Sequence, residues 1–170
     1  MFSFFVTCLY GVFFLASSGK LGEMPDFRQL ENPKTNFASE IISSDNKVLG
    51  KYYFNDNRTP VTFDELPTHL VDALIATEDI RFYSHSGIDF KRTFGAALKL
   101  GKDGGGSTIT QQLAKLLFTG EGSRDFLERL TQKFKEYIIA VRLERHYTKE
   151  EIITQYLNLY DFGNNGDGIR

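Results

Sequence analysis

The stretch PTHLVDALIATEDIRFYSHSGIDF, residues 67–90, decides how this chain folds. Proline is at home in the first turn of a helix, so Pro67 marks an opening. Leu70, Val71, Leu74 and Ile75 then recur at i, i+1, i+4 and i+5, the spacing of one helical face rather than the alternation of a strand. Glu78 falls four residues after Leu74 and eight after Leu70, so a carboxylate closes the apolar stripe. Partial burial disfavours the ionised form of such a group and suits it to proton transfer. The residues leave a second reading open, an ion pair between Glu78 and Arg81, three positions on. His85, in the loop that follows, offers a base, a ligand or a hydrogen-bonding brace.

Downstream the signals stay helical. In GGGSTITQQLAK, residues 104–115, the glycines let backbone approach a ligand, and Ser107 or Thr108 can cap the helix that runs on through Leu113, Leu116 and Leu117. Helix N-termini present unpaired N–H groups to anions. Gln111 and Gln112 lie in the first turns, and Lys115 adds a positive charge two turns along the face of Thr108. This set fits a phosphate or pyrophosphate, although it lacks the Gly-Lys-Ser/Thr ending of a nucleotide-binding P-loop. A flexible loop before a well-capped helix is the structural alternative.

A third and longest helix is predicted over about 124–146, with Phe126, Leu127, Leu130, Phe134, Ile138 and Val141 on its apolar side. Within QKFKEYIIAVRLE, residues 132–144, Glu136 stands at the entrance to an apolar run with Lys133 one turn back, the spacing of a surface ion pair. A fourth helix begins at Thr148, where Thr148 and Glu151 form a capping box. It sets Ile152, Ile153, Tyr156 and Leu157 on one face, with Asn158 placed to brace the loop that follows. Gly163, Gly166 and Gly168 imply tight turns beyond it.

Toward the N-terminus, residues 1–18 are uncharged and mostly apolar, at the short limit of a membrane-spanning helix. A signal peptide would open with basic residues, which are missing, so the run reads as a transmembrane anchor. Residues 19–37 are polar, contain Pro25 and Pro33, and read as a linker. Residues 38–62 hold two β-prone runs around Asp45-Asn46, the mark of a hairpin. A net charge of −2 argues against nucleic acid as a partner, so any anion site must be local. With Cys8 the only cysteine there is no disulfide framework or thiolate metal site. The expected class is mostly α with a small N-terminal hairpin.

Taken in order, EDIRFYSHSGID, GGGSTITQQLAK, QKFKE and KEEIITQYLN closely resemble the four leading motifs of glycosyl transferase family 51, the transglycosylase module of class A penicillin-binding proteins and of monofunctional transglycosylases. The match covers about residues 38–169. The resemblance implies a lysozyme-like fold over 63–170 on the outer face of the bacterial cytoplasmic membrane. It implies lipid II as substrate with the growing glycan chain as donor, and other cell-wall synthesis proteins as further partners. Glu78 matches the general base for the acceptor 4-hydroxyl. Glu136 matches a second glutamate that acts near the leaving pyrophosphate, directly or through a divalent cation such as Mg or Mn. Asp79, Arg81, Phe82 and His85 belong to the first motif, and Ser107, Thr108, Gln111, Gln112 and Lys115 to the donor-side motif. Lys133 is the basic position ahead of Glu136. Phe126 and Leu127 are candidates for dipping into lipid.

Three positions depart from the family pattern. Gln132 stands where the third motif usually has arginine, with Arg129 and Arg124 as substitutes for the charge. Leu116 stands for asparagine, and Asp161 for an aromatic. Arg170 falls inside the expected module, which makes the module C-terminally incomplete, and no transpeptidase domain is expected to give β-lactam binding. Two rivals accompany the polymerase reading: a glycan hydrolase or lytic transglycosylase on the same scaffold, and an inactive membrane-tethered fragment.

Overall fold

The computed structural model of the protein describes residues 39–52, 60–98, 106–120 and 125–160, together with Gly11 and Phe14. The predicted anchor (save those two positions) and the linker lie outside the described residues, as do the turns around Gly163 to Gly168. Among the described residues no helix is long and apolar enough to cross a membrane.

The described chain is mostly α-helical, with one two-stranded antiparallel sheet. Strand β1 (Ser39–Ile42) pairs with β2 (Val48–Tyr52), and a bulge lies between Ile41 and Ile42. The turn closes because Asn46 takes φ 60°, a left-handed conformation that Asn tolerates better than most residues. Both strands leave most side chains exposed.

Five helices follow. Helix α1 (Thr68–Glu78) starts behind Pro67, and Asp79 ends it. Helix α2 (Phe90–Leu98) has no counterpart in the sequence reading. Asp89 starts it, its carboxylate accepting from the Arg92 N–H at 3.0 Å. Helix α3 (Ile109–Ala114) is capped by Thr108 and continues as a single π-helical segment over Lys115–Thr119. Helix α4 (Phe126–His146) is the longest and is capped by Asp125. Helix α5 (Lys149–Leu159) carries the predicted capping box of Thr148 and Glu151.

The core forms where α3, α4 and α5 meet, and its fully buried members include Ile109, Leu113, Ile139, Leu143, Ile152 and Ile153. Each such side chain contributes about 1.5–3 kcal/mol by leaving water. Tyr156 and Leu157 are in this core, as their spacing predicts.

Helix α4 faces differently from expectation. Phe126, Leu127 and Leu130 are exposed, and the buried positions are Glu136, Ile139, Ala140 and Leu143. Among the described residues the buried positions of α4 lie in its second half, and the apolar residues of its first turns are exposed. Asn158 also differs. It braces the chain 97 residues earlier, its Oδ1 accepting from the Val61 N–H at 3.0 Å and its Nδ2 donating to the Val61 carbonyl at 2.9 Å. Replacing Asn158 with Ala strands both buried backbone groups, so Asn158→Ala is expected to lose about 2–4 kcal/mol in chemical denaturation. A loss below about 0.5 kcal/mol, the range of an ordinary surface change, would show that water replaces the brace.

Candidate active site

Glu78 is the last residue of α1 and half-buried. Its Oε2 accepts from Gln112 Nε2 at 2.7 Å, and the Gln112 Oε1 accepts from the Tyr156 hydroxyl at 2.9 Å. Arg92 donates to the backbone carbonyl of Glu78 and fixes the helix end. Arg81 turns away from Glu78: its Nε pairs with Asp89 Oδ2 at 2.7 Å.

Glu136 is 6% exposed and opens onto the same cleft as Glu78. Lys133 Nζ donates to Glu136 Oε2 and to Ser107 Oγ, each at 2.7 Å, and so ties α4 to the segment ahead of α3. The expected ion pair is present, inside the cleft rather than on the outer surface. Removing the ammonium while keeping the stem, as in Lys133→Met, leaves a buried carboxylate uncompensated. Lys133 is itself a third exposed, so solvent screening reduces the penalty to about 1–3 kcal/mol. Denaturant titration should show that loss and its recovery by Glu136→Gln in the same chain; equal midpoints for parent and Lys133→Met would mean that the pair contributes nothing.

The cleft has a volume of about 750 Å³. Glu78, Gln112 and Arg92 line one part, Ser107, Lys133 and Glu136 another, and Lys115, Arg129 and Gln132 add to the wall. Four cationic side chains therefore face two carboxylates, in a chain whose formal net charge is −2. Arg129 lines this cleft together with Gln132, at the position where the family motif usually has arginine. Arg92, Tyr160, Leu116 and Gly120 complete the lining and were not singled out from sequence as site residues. The signal for Arg92 was Asp89 as an N-cap three residues ahead of it.

Six of the residues singled out from sequence reach the cleft: Glu78, Ser107, Gln112, Lys115, Lys133 and Glu136. The other six lie behind or beside it. Thr108 and Gln111 are fully buried, and both donate to the Gly87 carbonyl, at 2.7 and 3.3 Å. Asp79 is buried, and its Oδ2 accepts from the Ile109 N–H at 3.2 Å and meets His85 Nε2 at 3.0 Å. Phe82 is a core residue, with the Lys149 ammonium 4.2 Å from its ring centre. Arg81 and His85 line a separate depression of about 460 Å³.

At the start of α3, where the sequence suggests N–H groups open to an anion, two of these groups have partners within the protein. The Ile109 N–H is taken by Asp79 and the Gln111 N–H by Thr108. A carboxylate supplied by the protein occupies the positive end of this short helix.

Electrostatic perturbation is local. Burial pushes the Asp89 carboxyl up, but the Arg81 guanidinium and the Arg92 N–H outweigh it and hold that carboxyl below the usual range. Burial pushes the Tyr156 phenol well above its ordinary value, with Tyr160 and Glu78 adding to it. Burial also raises Tyr137, beside Glu136. Glu136 already holds an ammonium, and no group of three His, Cys, Asp or Glu side chains stands together among the described residues.

Two carboxylates thus open into one cleft of a mostly helical protein, among four cationic side chains. A family model described as Transglycosylase matches residues 45–170, and the chain belongs to that family. It is 42% identical over 137 residues to penicillin-binding protein 1F of Bacillus subtilis (strain 168), covering 78% of this chain and 18% of that protein. It is 38% identical over 152 residues to penicillin-binding protein 1A of Escherichia coli (strain K12), covering 86% of this chain and 17% of the relative. With penicillin-binding protein 1A of Pseudomonas aeruginosa the identity is 34% over 172 residues, covering 96% and 20%. The chain spans about a fifth of the length of these relatives.

Proposed function

We propose that this chain is the glycosyl-transferring module of a peptidoglycan glycosyltransferase, which polymerises lipid II and releases undecaprenyl pyrophosphate. The observation that carries this reading is that Glu78 and Glu136 line one cleft together with Lys115 and Lys133. Glu78 takes the proton from the acceptor 4-hydroxyl. The freed oxygen forms a bond to C1 of the donor sugar while the bond from C1 to the pyrophosphate breaks. Negative charge then grows on the leaving diphosphate, where Lys115, Lys133 and Arg129 supply compensation and Ser107 a hydroxyl donor.

In this reading residues 63–170 form the catalytic module, with a lysozyme-like arrangement of helices. The enzyme works at the outer face of the bacterial cytoplasmic membrane, because the substrate's lipid tail stays in the bilayer and residues 1–18 anchor the chain there. Phe126 and Leu127, 66% and 68% exposed at the start of α4, are then the side chains that meet the acyl region.

The test is incubation of the full-length protein with labelled lipid II in detergent or bilayers. Chain growth supports polymerisation. Cleavage of finished glycan without growth would replace this reading with that of a hydrolase, which needs no cationic cradle for a diphosphate.

A further inference from the structure

Gln112 bridges two groups whose chemistry the polymerase reading uses unequally. One end of its amide holds the catalytic carboxylate and the other holds Tyr156, a residue of α5 that is 2% exposed. We infer that Tyr156 is a positioning residue for catalysis: its hydroxyl fixes the Gln112 amide so that the NH₂ end, and not the carbonyl end, meets Glu78. The inference rests on Glu78 being the general base.

The physical case begins with the two-faced amide. A glutamine side chain can rotate to present either donor or acceptor, with nearly the same shape. Against a carboxylate the difference is large, because NH₂ attracts Oε2 whereas a carbonyl oxygen repels it. A phenol that donates to Oε1 removes the second orientation. Tyr156 can serve in this way across the working range of pH, since burial keeps its phenol protonated.

The geometry also distinguishes the two oxygens of Glu78. Oε2 is the oxygen engaged by Gln112, at 2.7 Å. The bond to Oε2 restrains the carboxylate that takes the acceptor's proton. Gln112 and Tyr156 come from α3 and α5, so the orientation of the base is set by the packing of two helices to which it does not belong.

The test is Tyr156→Phe in the full-length protein, which deletes one hydroxyl and keeps the ring, with Gln112→Ala and the double variant beside it. Polymerisation of lipid II is followed across pH. The expected result for Tyr156→Phe is a fall in kcat of about 5–30-fold, the scale of one oriented hydrogen bond. KM should stay within twofold, and the acidic limb of the kcat profile should move. The double variant should be no slower than Gln112→Ala alone, because the hydroxyl acts only through that amide. Unchanged kcat in Tyr156→Phe, or losses that multiply in the double variant, would overturn the relay. Glu78→Gln runs in parallel and separates the two levels: full activity there removes the base itself, whereas inactivity there with normal Tyr156→Phe removes only the relay.

Discussion

Replacing Glu78 with Gln is expected to slow glycan polymerisation by about 10²–10⁴-fold, the contribution of a positioned general base. The substitution keeps the side-chain volume at the end of α1, and Gln112 Nε2 can still donate to the new amide oxygen. What disappears is the capacity to accept a proton from a hydroxyl whose own acidity is negligible near neutral pH. Initial rates of lipid II consumption by the full-length protein measure the effect, with thermal melting as the control for folding. Melting within about 2–4 °C of the parent is expected, since a change of this kind at a half-buried site costs on the order of 1 kcal/mol. A rate within fivefold of the parent would remove Glu78 from the reaction and leave Glu136 as the carboxylate to examine.

The second large effect lies behind the cleft, where Gly87→Ala is expected to destabilise the fold by about 3–5 kcal/mol. Gly87 has φ +90°, a conformation that side chains with a Cβ rarely adopt. A Cβ at this position would stand 2.9 Å from the backbone C and O of Ala140, and helix backbone cannot yield as a flexible side chain does. The carbonyl of Gly87 also accepts from Thr108 and Gln111, so any shift of the loop loosens the cap of α3. Chemical denaturation followed by far-UV circular dichroism suits this chain, which has no tryptophan. A midpoint equal to the parent's would mean that the loop and α4 are not in contact as described. Because Gln112 belongs to α3, activity should fall with stability in Gly87→Ala even though Gly87 faces away from the cleft.

The two predictions mark the boundary of what sequence alone discloses here. Helix α5 was legible because its signals are local: a capping box at Thr148 and Glu151, then four apolar residues at helical spacing. The same is true of α1 behind Pro67 and of the Thr108 cap, which bonds within three residues of itself. Helix α2 was missed because Phe90 to Leu98 is short and contains Gly95, and only the Asp89 cap announced it. The facing of α4 was misjudged because periodicity reports which side is apolar, not which side has a neighbour. Glu136, a carboxylate, is buried there, whereas Phe126 is not.

The family motifs do not tell which of their residues face the cleft and which lie behind it. Gln111 and Gln112 are adjacent in sequence and about 100° apart around the helix. One is therefore sealed against Gly87 while the other reaches Glu78. No pattern of residue types contains that distinction, nor the contact between Asn158 and Val61, which spans 97 residues.

The ammonium of Lys133 is engaged before any substrate arrives, by Glu136 and by Ser107. The wall is thus zwitterionic around Lys133, and an anion drawn to that ammonium competes with Glu136 and Ser107 for it. In the proposed reaction the attraction of the leaving diphosphate to Lys133 is therefore offset in part by the loss of that pair.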